Sequence, residues 1–221
     1  MTNKVPVFQI DIEFEMFKPF MTNADFEILK ENIFKEGVIY CPIVLWKGKI
    51  VDGYYRYLIL KDNPHLKYRV VELDLLNRFE AISWLCYHLL GKRSLTKIQR
   101  MILIGKRYEA EKESHGASDR FRGNQYVAMD IQYDAYYRVR SKTATMLGDE
   151  FGISCKTVER SARFVRALEL AEKCSPGISK AIMSGEIKPT QKEIIALLKM
   201  PCESIPVEVD NIRNRRGAHI R

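Results

Sequence analysis

No run of apolar residues in the 221-residue chain approaches the roughly 18 that a bilayer-crossing helix requires. The opening MTNKVPVFQIDIEFE turns acidic before the apolar core of a secretion signal can form. A cytoplasmic chain with no membrane partner is therefore expected. Cysteine is scarce and scattered: Cys41, Cys86, Cys155, Cys174 and Cys202 form no C-x-x-C pair, which argues against a disulfide framework and a structural zinc site. Such thiols are expected to stay reduced and to pack as small apolar groups. The four histidines, His65, His88, His115 and His219, are too dispersed to suggest a metal site, with His88 expected on a helix surface. The phosphate-cradling G-x-x-x-x-G-K-[ST] loop is missing, and no internal repeat is present.

The first 90 residues also lack any positive excess, holding 11 Lys and Arg against 12 Asp and Glu. The remainder holds 25 against 16, so the whole net charge of +8 comes from the second part. A neutral half joined to a half that binds phosphate or another polyanion shows this asymmetry.

The neutral half mixes strands and helices. VFQIDIEF alternates like a half-buried strand, and Asn23 is placed to cap a helix from Ala24 to Phe34 that Gly37 ends. CPIVLW and IVDG read as strands around a KGK turn, YYRYLILK as a short helix, and YRVVELD as a further strand, giving β-α-β-β-α-β. From Asn77 the pattern is helical, with Phe79, Ile82, Leu85, Cys86, Leu89 and Leu90 on one stripe. Thr96 with Gln99 forms a capping box for a helix from Lys97 to about Lys112. Residues 113–139 have no clean period and read as a surface loop, its aromatic stretch YVAMDIQYDAYYRVR packing partly on the helical domain. Helices resume near Thr143 and stop at Pro201, leaving a polar basic tail expected to be disordered.

The strongest local pattern is TATMLGDEFGISCKTVERSARFVRAL. Ala144, Leu147 and Phe151 lie on one side of a first helix, with Gly148 where two helices cross closely. Gly152 makes a left-handed turn, Ile153 plugs it, and Ser154 caps the next helix. Val158, Ala162 and Val165 form that helix's inner stripe, with Ser161 where an apolar residue is commoner. This is a helix-turn-helix pattern, and its groove-entering residues are Ser154, Cys155, Lys156, Thr157, Glu159, Arg160 and Arg163. Lys156, Arg160 and Arg163 can reach phosphates or guanine edges, and Glu159 can accept from a cytosine amine. The alternative is an ordinary helical hairpin with a solvated basic face.

A second motif is the corner Asp52-Gly53-Tyr54-Tyr55-Arg56, where a strand runs into a glycine and a helix begins at once. Free N–H groups at the helix start and the Arg56 fork can hold a phosphate. Equally, Arg56 can pair with Asp52 and cap the structure.

These parts, in this order, resemble the ParB family, the CTP-binding chromosome and plasmid partition proteins. The resembling residues are the strand Pro42 to Val44, the Asp52 to Arg56 corner, Arg93-Ser94-Leu95-Thr96 before the next helix, the helix-turn-helix, and ISKAIMSGEIKPT from Ile178 to Thr190. The resemblance implies an α+β chain: a small ParB/sulfiredoxin-like α/β domain over 1–92, an all-α helix-turn-helix domain over 93–200, and a basic tail over 201–221. It implies CTP with magnesium at Gly53, Tyr54, Tyr55, Arg56, Arg93 and Thr96, double-stranded DNA as partner, a homodimer, and a nucleoid-associated role in DNA partition or transcriptional regulation. Two departures stand out. Tyr54 and Tyr55 replace the middle pair of the family's Gly-Glu-Arg-Arg, and the magnesium-holding Glu-Asn pair falls near His88 and Leu89 and is absent. CTP hydrolysis is therefore not expected. The chain stops soon after Met200, so a smaller ParB-like regulator is expected rather than a full sliding clamp.

The competing class is an enzyme of the ParB/sulfiredoxin group, a metal-dependent nuclease or a nucleotide-dependent kinase. Sulfiredoxin chemistry needs a cysteine after the corner glycine, where this chain has Tyr54. Metal chemistry needs clustered carboxylates, for which Asp11, Glu13 and Glu15 are the candidates, although exposed acidic strand faces are ordinarily just solvated.

Overall fold

The computed structural model describes residues 6–18, 21–91, 95–122 and 143–214, with side chains described as far as residue 114 in the third segment. The fold is α+β, and the chain divides into two units, Met1–Ala81 and Ile82–Arg221.

In the first unit Asp11 ends the extended start. Its carboxylate accepts from the backbone N–H of Glu13 and Phe14 and caps a short helix, α1 (Ile12–Met16). The strand expected over VFQIDIEF is thus reduced to one bridge, Gln9 beside Lys49. A side chain bonding its own backbone has overridden the alternating pattern. Helix α2 (Asn23–Glu36) is capped by Thr22, not Asn23, in a reciprocal box with Asp25, and ends at Gly37. Strands β1 (Ile43–Trp46) and β2 (Lys49–Asp52) pair antiparallel. Helix α3 (Tyr54–Asp62) returns the chain to β3 (Val70–Glu72), which lies parallel to β1 in a sheet ordered β2-β1-β3. All four residues of β1 are buried and all three of β3 are exposed, so β1 is the sheet's core strand. Ile33, Ile39, Ile43, Leu45, Ile50, Tyr57, Ile59, Leu60 and Leu66 close the core around it.

Helix α4 (Arg78–Leu90) opens with Asn77 accepting from the Glu80 N–H at 3.0 Å. Ile82, Leu85, Cys86, Leu89 and Leu90 of the expected stripe are buried, while Phe79 is exposed. His88 stacks on Trp84, ring centroids 5.1 Å apart. Helix α5 (Lys97–Arg122) starts at the expected Thr96–Gln99 box and runs well past Lys112, where a loop was expected. The helix outlasts its apolar stripe. The expected loop from 123 to 139, aromatic stretch included, lies outside the described residues.

The rest of the second unit is built on α7 (Cys155–Cys174), eight of whose residues are buried. It is preceded by α6 (residues 143–151) and followed by α8 (Ile178–Met183), α9 (Gln191–Ala196) and α10 (Ile205–Asn214). Residues 205–214 were expected in the tail, but α10 buries Ile205, Val209 and Ile212 in the same cluster as Phe164, Leu168 and Ile194. Glu172 accepts from the backbone N–H of Gly177 and Ser179 at 2.7 and 2.8 Å. Burial pushes its carboxyl up, but those two donors, with the Ser179 hydroxyl and the Arg213 charge, outweigh burial and leave it below its ordinary value.

The cysteines depart from the expected packing. Only Cys86 is buried, Cys174 is half-buried, and Cys41, Cys155 and Cys202 are exposed. No helix among the described residues is long and apolar enough to cross a membrane.

Candidate functional site

The turn between α6 and α7 is set by two glycines with different tasks. Gly152 takes φ 64, a left-handed conformation that other residues adopt at a cost. Gly148 lies against the turn itself, since a Cβ there would stand 2.7 Å from the Ile153 carbonyl oxygen. That Cβ would also stand 3.4 Å from the Cys155 backbone nitrogen, so the close approach expected at Gly148 is between α6 and the start of α7. The crossing of α5 and α7 is at Gly105, whose absent Cβ would collide with the Ser161 carbonyl oxygen and stand 2.6 Å from Val165 Cγ2. Ser161 is small enough for that crossing and donates its hydroxyl to the Thr157 carbonyl at 2.9 Å, which accounts for a polar residue in an apolar register.

Ser154 begins α7 with extended backbone, accepting from the Thr157 N–H at 3.2 Å. Its hydroxyl also lies 2.9 Å from that of Thr157. Val158, Ala162 and Val165 point inward, at 0, 0 and 1% exposure. The opposite side carries Cys155, Lys156, Thr157, Arg160 and Arg163, all exposed, with Glu159 half-buried. Lys156, Arg160 and Arg163 follow one another at i, i+4 and i+7, so they share one stripe.

Three other cations packed between α5, α6 and α7 are engaged. Lys106 pairs with Glu169 at 2.5 Å. Arg107, nearly buried, pairs with Glu150 at 2.7 Å and lies over the rings of Tyr87 and Phe151. Arg166 stands 3.5 Å from Glu109, an ion pair longer than a good hydrogen bond. Lys156, Arg160 and Arg163, by contrast, make no ion pair among the described residues. Like charges four apart destabilise a helix by about 0.2–0.5 kcal/mol, so Lys156 beside Arg160 carries a small stability cost. Sequence reading missed Arg107, which ties α5 to α6. Its signal was faint, one of two adjacent charges, Lys106 and Arg107, in the otherwise apolar run from Met101 to Tyr108.

The Asp52–Arg56 corner is self-contained. Gly53 caps α3 at φ 94, and a Cβ there would stand 3.1 Å from both Ile43 Cα and Arg56 Nη2. The guanidinium folds back over the glycine, donating through Nη2 to Asp52 at 2.9 Å and to the Pro42 carbonyl at 3.1 Å. Its Nε is buried without a hydrogen-bond partner among the described residues. Tyr54 lies under the Lys18 ammonium, 4.2 Å from the ring centroid, and Tyr55 packs on Phe26. Burial raises the Tyr54 hydroxyl above its ordinary value, with Lys18 opposing and Glu15 assisting. Thr96 serves as the cap of α5, and Arg93 lies outside the described residues.

The three candidate metal carboxylates hold cations instead. Asp11 receives Arg78 at 2.6 Å and Lys49 at 3.2 Å, Glu13 receives Arg78 at 2.8 Å, and Glu15 receives Lys18 at 2.6 Å. The hydrogen bond from Arg78 is the largest influence on Asp11; burial opposes it, Lys49 reinforces it, and the carboxyl sits far below the usual range. The sign follows: a depressed carboxyl stabilises the fold above the unfolded-state value near pH 4 and loses that contribution as pH falls further. Arg78→Leu is expected to cost about 2–3 kcal/mol, discounted for the partial exposure of the arginine, and to flatten the acid limb of the stability curve. Urea melts from pH 7 to pH 3 measure both, and an unchanged acid limb would show that the pair contributes nothing.

Among solved structures, a Pnob8-like ParB-N domain is similar over 87% of this chain and 76% of its own, at 15% identity and a TM-score of 0.48. A scan against protein-family models gave no match, and a search of curated proteins gave none either.

Proposed function

We propose that this chain is a ParB-like DNA-binding protein that reads duplex DNA through a helix-turn-helix formed by residues 143–174, acting in DNA partition or transcriptional regulation. The observation that carries the reading is the stripe Lys156, Arg160 and Arg163: three exposed cations, unpaired among the described residues, on the outward side of a helix whose other side is core. A helix about 10–12 Å wide fits the major groove, and unpaired cations at its start meet phosphates and base edges there. The positive second part supports the same polyanion. ParB likeness rests on the order of sequence motifs. A merely solvated basic face is the competing account.

The test is fluorescence anisotropy of the full chain with labelled duplexes from a random pool, titrated with salt. Affinity is expected to fall linearly on a log–log plot with a slope of about −0.9 per phosphate contact. A flat response would remove the proposal.

CTP at the Gly53 corner belongs to the same reading. The buried Arg56 Nε supports it as a donor that a phosphate oxygen would satisfy. The Asp52 carboxylate, already held by Arg56, would have to yield. Calorimetry with CTP and magnesium is expected to show binding that Arg56→Ala abolishes; no heat with the parent chain reduces the corner to a clasp between α3 and β2.

A further inference from the structure

Among the carboxylates of α7, Glu159 stands apart. Glu109, Glu111, Glu150 and Glu169 each meet a cation, and Glu172 takes two backbone N–H groups. Glu159 has Lys156 three residues before it and Arg163 four residues after it, both within reach on a helix, yet its carboxylate pairs with neither. It is half-buried among exposed cations, so an acceptor-only group is held at the centre of the positive stripe.

Next to phosphate, a carboxylate is repelled, and a protein selected for sequence-blind adhesion would not place one there. Next to base edges it discriminates. Cytosine N4 and adenine N6 present amine donors in the major groove, whereas guanine O6 and N7 and thymine O4 present only acceptors. We infer that Glu159 is the specificity determinant of this face: it selects a base with an exocyclic amine, cytosine foremost, at one position of the site and rejects guanine and thymine there. This rests on the duplex-reading proposal above. It adds that recognition at that position works mainly by exclusion.

The inference makes two effects run in opposite directions. Glu159→Ala removes the repulsion, so affinity for a scrambled duplex is expected to rise severalfold while discrimination at one base pair is lost. Glu159→Gln offers both a donor and an acceptor and is expected to move the preference toward adenine. The experiment is selection from a random duplex pool with the parent chain, Glu159→Ala and Glu159→Gln, followed by salt-titrated anisotropy on the selected site, its three single-base variants at that position, and single-base variants at the other positions. For the parent, changing the favoured base to guanine or thymine should weaken binding about fivefold to a hundredfold. In Glu159→Ala that penalty should fall to less than about threefold, the other positions keeping theirs. If both variants select the parent's sequence with the parent's penalties, Glu159 is not the determinant. If the parent binds no duplex in a salt-dependent way, the duplex-reading proposal itself is lost, and circular dichroism of the two variants separates either result from misfolding.

Discussion

Replacing Lys156, Arg160 and Arg163 together with alanine is expected to weaken duplex binding by two to three orders of magnitude at roughly 0.1 M salt, and to reduce the log–log salt slope by close to 3. Each lost phosphate contact takes about 0.9 from the slope, so the slope counts how many of the three touch phosphate and how many touch bases. The same variant should be at least as stable as its parent. All three side chains are exposed and unpaired among the described residues, and removing them relieves like-charge repulsion along the helix. Binding and stability are thus expected to move apart, which a solvated but idle basic face would not produce. Equal affinity and slope for parent and variant would dispose of the groove-entry assignment.

The second large effect concerns the crossing of α5 and α7. Gly105→Val would set a branched side chain where even a Cβ meets the Ser161 carbonyl carbon at 2.7 Å and Val165 Cγ2 at 2.6 Å. The contacts are largely backbone, so rotamer changes cannot relieve them and the helices must separate. A loss of about 3 kcal/mol or more is expected for valine. For Gly105→Ala the loss should be smaller, because alanine recovers about 1 kcal/mol of helix propensity. The chain has two tryptophans, Trp46 in the first unit and Trp84 in the second, so a Trp46→Phe background reports urea unfolding of the second unit alone. A valine variant melting with its parent would mean that α5 and α7 do not approach so closely.

Where sequence and structure part, local chemistry explains it. The inner stripe of α7 was readable because Val158, Ala162 and Val165 recur with helical period, and Gly152 and Ser154 are the residue types a left-handed turn and an N-cap require. The N-terminal strand was misread because alternation says nothing of Asp11 folding onto its own backbone. Arg56 could not be assigned from spacing, since an Arg four residues after an Asp can either pair with it or leave it for a ligand; in the fold its guanidinium donates to Asp52 and to the Pro42 carbonyl. Helix α10 carried a signal that went unused. Ile205, Val209 and Ile212 fall at i, i+4 and i+7, while Pro206 lies in the first turn, where proline is tolerated rather than helix-breaking. The network of Arg78 with Asp11 and Glu13 was beyond any local pattern, joining residues 65 and 67 positions apart.

The division of α7 between a sealed flank and an open one bears on how such a chain can change over time. Positions 155, 156, 159, 160 and 163 border water, while the folding free energy resides in the opposite stripe. A library randomised at those five sites should therefore yield folded clones at nearly the parental rate, and on the duplex-reading proposal each would have an altered preference. Drift in target choice would then be separable from drift in durability, and a lineage could acquire new operators without rebuilding its scaffold.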